Sequence, residues 1–211
     1  MVKPLIYIQE PWGSGARRLF SSFGYDFVDT PEKCDVIVFN GGEDLHPKLY
    51  KQTIIPRAQV TWLDEERDAI EVAGYERAKE KFKFGICRGG QLLNVMNGGT
   101  LWQDVDNHGR AHDMIDLETG ETIFTSSVHH QQFITGPEVK ILAEANISDH
   151  KIGYIGKEVS WVRGHGANRF EKDPEVVFYP KDRALCIQGH PEYGGYTQFT
   201  NWCMKKLEEL Y

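Results

Sequence analysis

The sequence predicts an α/β fold with a central, mostly parallel sheet and helices on both faces, and three observations predict it. Short apolar runs alternate with amphipathic stretches through the first half. Two of those runs end in glycine-rich turns, as buried strands of such sheets do. The second half holds strand-like segments parted by turn signals, which add some antiparallel strands before a closing helix.

The elements follow in order. Leu5–Gln9 is a short apolar strand. Ala16–Phe23 places Leu19, Phe20 and Phe23 at helical spacing. Tyr25–Val28 has the composition of a short strand. Asp35–Asn40 is a buried strand ended by Gly41-Gly42. Asp64–Lys81 reads as a helix with acids in its first turn and Lys79 and Lys81 in its last, as the helix dipole favours. Phe82–Cys87 is a strand and Gly89–Met96 a helix. Further strands are expected near Thr122–Thr125, Val139–Ala143, Glu158–Val162, Val176–Tyr179 and Ala184–Gln188, with a last helix over Tyr196–Leu210.

Composition bounds the rest. Hydrophobic residues make up 40% of the 211 and charged residues 26%, which is a globular composition rather than a disordered one. No repeat, low-complexity tract or linker interrupts the chain, so residues 1–211 are expected to form one domain. The formal net charge of -7 argues against a nucleic-acid partner held by phosphate charge. No apolar run is long enough to cross a bilayer, and the N-terminus reads as a strand rather than a signal peptide. The four cysteines, Cys34, Cys87, Cys186 and Cys203, are widely spaced. In a chain of this size they imply free thiols and a cytoplasmic location.

Most of the chemistry lies in Lys81-Phe-Lys-Phe-Gly-Ile-Cys87-Arg-Gly-Gly-Gln91. An apolar strand runs into a cysteine, then small residues, then a helix. This is the layout of a nucleophile elbow, in which a sharp turn pushes the nucleophile out at the sheet edge. Gly85 and Gly89 carry no Cβ to crowd such a turn. A helix N-terminus also favours a thiolate, and the N–H of Arg88 can point at an oxyanion. Taken alone, a cysteine is more often inert and buried. A partner changes that balance.

Ala184-Leu-Cys-Ile-Gln-Gly-His190-Pro-Glu192 supplies one. His190 can take the Cys87 proton and return it to a leaving amine. Glu192 can hold the imidazole tautomer, and Pro191 restricts the backbone between them. The Gly41-Gly42 loop offers close backbone approach, with the Gly42 N–H as a second oxyanion donor; read alone, the loop is an ordinary turn. It lacks the spacing of a phosphate-binding loop. His108 and His112 stand four apart, and His129 and His130 lie in a polar stretch, Thr125-Ser-Ser-Val-His-His-Gln-Gln132. Neither set has a zinc-site pattern. No metal and no cofactor are expected, and these histidines read as ordinary surface or loop residues.

Together these motifs resemble the class I glutamine amidotransferase superfamily. They are most similar to its γ-glutamyl hydrolase branch, the cysteine peptidases that include γ-glutamyl-GABA hydrolase. The matching segments run in order: Gly41-Gly-Glu-Asp-Leu-His-Pro-Lys-Leu-Tyr50, Asp64-Glu-Glu-Arg-Asp68, Gly85-Ile-Cys-Arg-Gly-Gly-Gln91, Gly98-Gly-Thr-Leu-Trp-Gln-Asp104, Ser127-Val-His-His-Gln131 and His190-Pro-Glu192.

The resemblance implies a flavodoxin-like core, a catalytic triad of Cys87, His190 and Glu192, and oxyanion donors from Gly42 and Arg88. It also implies that Gln91, Val128, His129 and His130 help hold a glutamyl group. The expected partner is a small γ-glutamyl substrate or glutamine, and a homodimer is compatible with the reading. A free hydrolase is expected first. The alternative is a glutaminase subunit that supplies ammonia to a separate synthetase chain. One departure stands out: the branch usually has an aromatic residue before His-Pro-Glu, and here it is Gly189. The missing ring is expected to widen the pocket for the leaving group.

Overall fold

A computed structural model describes residues 3–9, 14–163 and 172–211. The first half alternates as expected: β1 (Ile6–Ile8), α1 (Ser14–Ser22), β2 (Val36–Phe39), α2 (Glu65–Arg77), β3 (Phe82–Ile86) and α3 (Arg88–Met96). The second half is almost all strand. It runs through β4 (Thr100–Val105), β5 (His112–Asp116), β6 (Thr122–Thr125), β7 (Gln132–Ile134), β8 (Lys140–Ala145), β9 (His150–Ile155), β10 (Glu158–Arg163), β11 (Asp173–Tyr179) and β12 (Ala184–Ile187), and closes with α4 (Thr197–Leu210).

An eight-stranded sheet has the order β1-β2-β3-β12-β11-β8-β5-β6. Its core, β1-β2-β3-β12, is parallel. The other strands extend it in antiparallel fashion. A second, antiparallel sheet of order β10-β9-β4-β7 was not foreseen. Burial on both faces explains the continuous apolar runs of β2 and β12. Val36 and Val38 face one cluster with Leu19 and Phe20 of α1 and Phe199 and Leu207 of α4. Ile37 and Phe39 face the other, with Tyr75 of α2 and Leu92 and Leu93 of α3. No helix among the described residues is long and apolar enough to cross a membrane.

Three expectations need correction. Tyr25–Val28 forms no strand; only Phe27 bridges to Ile6. Helix α2 ends at Arg77, short of Lys79 and Lys81. Past that end, the buried Lys83 ammonium donates to the Lys79 carbonyl at 2.8 Å and the Lys81 carbonyl at 3.1 Å. Strands β4, β5, β7 and β9 were also missed. Their inward faces carry Gln103, His112, Asp116, Gln132 and Lys151, all buried, which patterning by polarity assigns to solvent.

Candidate active site

Cys87 is the single residue between β3 and α3. Its backbone holds φ 49° and ψ -110°, a conformation that costs a non-glycine residue about 1–3 kcal/mol. Two hydrogen bonds keep it there: Cys87 N donates to Ile187 O at 2.6 Å, and Gln91 N to Cys87 O at 2.9 Å. The neighbouring glycines serve close packing. A Cβ on Gly89 would lie 2.3 Å from Phe39 O, one on Gly85 2.6 Å from the Gly89 carbonyl, and one on Gly90 2.8 Å from Ile187 N. Helix α3 therefore starts in backbone contact with β2, β3 and β12.

His190 follows β12 by three residues. Its Nδ1 donates to Glu192 Oε1 at 2.8 Å, which leaves Nε2 for the thiol. Burial alone would lower the imidazole pKa. Contact with Cys87 and the hydrogen bond to Glu192 outweigh burial and raise it to about 10. Two further residues position the ring. Ser126 Oγ accepts from His190 N at 2.8 Å and donates to His190 O at 2.9 Å. Tyr193 stacks on the imidazole at 4.3 Å between centroids. Sequence reasoning passes over both. Ser126 sits in a stretch that looks like a polar loop, and the only signal for Tyr193 is that it follows Glu192.

The Gly41-Gly42 loop lies against the same residues. A Cβ on Gly41 would be 2.6 Å from His190 Cε1, and one on Gly42 would be 2.0 Å from Arg67 Nη1. Arg67 holds this loop through the Gly41 carbonyl at 2.9 Å, while pairing with Glu43 at 2.7 Å and Glu71 at 3.0 Å. The Arg88 side chain turns away from Cys87 and pairs with Asp68 and Glu71. One buried network from α2 thus joins the loop carrying Gly42 to the residue after Cys87.

The other candidate residues are spread around the neighbouring connection. Gln91 is buried, and its amide donates to Gln131 O at 3.2 Å. His129 is also buried, with Nδ1 2.9 Å from the same carbonyl. His130 stands between Asp104 at 3.1 Å and Asp44 at 2.9 Å. These two carboxylates raise its pKa to about 9 against the effect of burial. Val128 is exposed, and with His129 and His130 it lines a cavity of about 570 Å³.

Two expectations fail here. His108, His112 and His129 are not surface residues: His108 and His129 lie in connections and His112 starts β5, but all three are buried and converge on the buried Glu175. Gly189 does not open the pocket. A Cβ there would meet Thr125 Oγ1 at 2.6 Å, Phe199 Cζ at 2.7 Å and Ser126 O at 2.7 Å. Phe199 of α4 fills the space, so the missing ring leaves no room for a substrate.

A strained cysteine on a strand-to-helix turn, at the carboxyl edge of a parallel sheet beside a His–Glu pair, is an arrangement that several α/β hydrolase classes share, and the comparisons place this chain in the class I glutamine amidotransferase superfamily. The Peptidase C26 family model matches residues 25–158, and the chain belongs to that family. The glutamine amidotransferase-like protein YvdE of Lactococcus lactis is 31% identical over 183 residues, covering 84% of this chain and 72% of the relative. A carbamoyl phosphate synthase small chain of Ralstonia nicotianae is 32% identical over 110 residues, 52% of this chain and 24% of its own length. Two other curated relatives are matched over only 38% and 43% of their lengths. The structure of PurLQS from Thermotoga maritima superposes with a TM-score of 0.55 at 17% identity, covering 98% of this chain and 100% of the other. That likeness shows the flavodoxin-like fold.

Two outcomes follow. Arg88→Ala leaves Asp68 buried without its ion-pair partner and Glu71 with Arg67 alone, and should cost about 3–5 kcal/mol in denaturant unfolding; a loss below 1 kcal/mol would show the network to be dispensable. Gly189→Ala should lower stability by about 1–3 kcal/mol through overpacking. A variant as stable as the parent would mean that Gly189 borders open space after all.

Proposed function

We propose that the protein is a cysteine hydrolase that cleaves a γ-glutamyl amide bond, with Cys87, His190 and Glu192 as its triad. The observation that carries this reading is the strained Cys87 beside a His190 whose other nitrogen is held by Glu192. The raised His190 pKa keeps the imidazole protonated at neutral pH, ready to give a proton to a leaving amine.

In this reading the Cys87 thiolate attacks the γ-carbonyl. The backbone N–H groups of Gly42 and Arg88 take the oxyanion. As the tetrahedral intermediate collapses, His190 gives its proton to the departing amine and a γ-glutamyl thioester remains. His190 then takes a proton from water, whose oxygen attacks the thioester carbon. Collapse expels the Cys87 thiolate and releases glutamate. Gln91 and His129 act indirectly, because both engage the Gln131 carbonyl and so shape the backbone of Val128–Gln131. Val128 and the charged His130 present the surface that meets the glutamyl group.

A second reading keeps the triad and changes the destination of the amine. The protein would hydrolyse glutamine and pass ammonia to a separate synthetase chain. Its similarity to a carbamoyl phosphate synthase small chain favours this. A hydrolysis screen over glutamine, γ-glutamyl amines, γ-glutamyl peptides and polyglutamates separates the two. A free hydrolase turns over a γ-glutamyl amine or peptide unaided, whereas a glutaminase subunit stays slow on all of them until its partner is added.

Nucleophile and base act as a unit, so Cys87→Ala should keep about a thousandth or less of the turnover on the best substrate. Near-normal hydrolysis by that variant would end the assignment. The pH profile tests the pair. A His190 pKa raised to about 10 stabilises the folded protein fully below the ordinary imidazole value of about 6.5, and this contribution fades as pH rises towards 10. The alkaline limb of kcat/KM reports loss of the same proton. Glu192→Gln removes one of the two groups that raise it, so that limb should move to lower pH by about one unit or more. An unmoved limb would exclude Glu192 as the orienting acid.

A further inference from the structure

The mechanism uses one buried cluster only through the outer nitrogen of His129, and leaves its inner face unassigned. His108 lies in the β4–β5 connection, His112 starts β5, His129 follows β6, and Glu175 sits on β11. His108 Nδ1 is 3.3 Å and His112 Nε2 3.4 Å from Glu175 Oε1, and His129 Nε2 is 3.8 Å from Oε2. The three inner nitrogens and Glu175 Oε2 have no hydrogen-bond partner among the described residues. Oε1 has one, the Gln132 amide at 3.3 Å.

The outer nitrogens set the tautomers. His112 Nδ1 faces the Arg110 carbonyl at 3.1 Å. A carbonyl only accepts, so Nδ1 carries the proton. His129 Nδ1 faces the Gln131 carbonyl at 2.9 Å. The two amide protons of Gln188 are already given to Gln131 O and Gln132 Oε1, both at 2.8 Å, so His129 Nδ1 keeps its own. Ser148 Oγ gives its hydrogen to Asp173 Oδ1 at 2.8 Å and therefore accepts from His108 Nε2 at 3.0 Å. With every outer position protonated, three neutral rings would aim lone pairs at one buried carboxylate. That arrangement is repulsive unless a positive charge lies between them.

We propose that His108 Nδ1, His112 Nε2 and the Glu175 carboxylate bind a divalent first-row metal ion of the zinc class, with His129 Nε2, 3.8 Å from Oε2, as the neighbouring nitrogen. Zinc–nitrogen and zinc–oxygen bonds of about 2.0–2.1 Å put neighbouring tetrahedral ligands about 3.3–3.4 Å apart, and two of the contacts already have that spacing. His108, His112 and Glu175 offer ligand atoms all within 4.8 Å of one another. Each ring also has the outer hydrogen bond that typically orients a metal-bound histidine. The competing occupant is a proton on His108, which Asp173 and Glu175 face from two sides. One proton answers one ring and leaves His112 and His129 aimed at the carboxylate, whereas one cation held by His108, His112 and Glu175 neutralises the carboxylate that all three rings face.

The ion would brace the connection that holds the active-site histidine. Ser127 Oγ donates to His108 O, Ser126 clamps His190, and His129 lies 3.2 Å from Gln188, two residues before His190. His129 also lines the cavity beside Gly109.

The test titrates the chelator-stripped full chain with Zn²⁺ alone against a chromophoric chelator, in the parent, Cys87→Ala, His112→Gln and Glu175→Gln. X-ray absorption on the zinc-loaded parent reports the ligands. One zinc per chain, unaffected by Cys87→Ala and weakened at least ~100-fold in His112→Gln and Glu175→Gln, with only nitrogen and oxygen ligands, is the expected result. The absorption spectrum decides the matter even where both cluster variants misfold. A parent that retains no zinc overturns the proposal and leaves the proton as occupant. So do sulfur in the ligand shell, and binding lost in Cys87→Ala but kept in His112→Gln.

Discussion

The buried charge network of α2 is the constraint on which the rest of the site depends. Arg67 and Arg88 bring two positive charges into the interior, and Asp68 and Glu71 bring two negative ones. Removing a charge from water is costly, and the cost is recovered only when partners meet in good geometry. Arg67 and Glu71 are one helical turn apart on α2, so they pair along the helix. Arg88 reaches the network from the start of α3, and Arg67 extends it to the Gly41 carbonyl. The Gly42 loop and the residue after Cys87 are thereby tied to one rigid body. The backbone of Gly42 and that of Arg88 are therefore not set independently, because this network couples them.

The strain at Cys87 depends on the same economy of space. A positive φ at a cysteine persists only where the surroundings over-determine it. Here Gly85, Gly89 and Gly90 let α3 touch three strands, and each of those contacts would be closed to an alanine. Gly41 repeats the device from the other side, because its missing Cβ is what admits the His190 ring. The glycines are therefore spacing elements between the nucleophile, the base and the loop, and only secondarily a source of turn flexibility.

This division explains what the sequence disclosed. The first half builds its sheet from apolar strands buried on both faces, so Val36–Phe39 and Phe82–Ile86 stand out by composition alone. The elbow and the His-Pro-Glu segment also stand out, because their chemistry is local in sequence. The second half builds its interior partly from polar groups. In β5, His112, Met114 and Asp116 point inward while Ile115 is exposed, the reverse of what polarity suggests. A buried histidine with a satisfied outer nitrogen looks like a surface histidine until its partner, 60 or more residues away, is known: Glu175 answers His108 and His112 from another strand. Gly189 misled for the same reason. The residue that replaces its side chain, Phe199, belongs to α4 and is adjacent only in space.

The polar half of the interior also accounts for how His190 is held. A base whose ring must keep one nitrogen on a carboxylate and the other on a thiol needs its backbone fixed as well as its side chain. Apolar packing does this poorly, because it has no direction. Directional bonds do it here: Ser126 grips both the N–H and the carbonyl of His190, and Thr200 Oγ1 donates to the Pro191 carbonyl at 2.8 Å. Gln188 is fastened to Gln131 and Gln132. Such a network rigidifies a site only if its members are themselves satisfied, since a half-satisfied polar cluster is worse than an apolar one. The segment that carries Ser126 also carries His129, so whatever neutralises the cluster around Glu175 bears on the precision of the base. Cys87 is placed by close-packed glycines and by a charge network of Arg67, Arg88, Asp68, Glu71 and Glu43. The base is placed by a polar core whose balance is completed at Glu175.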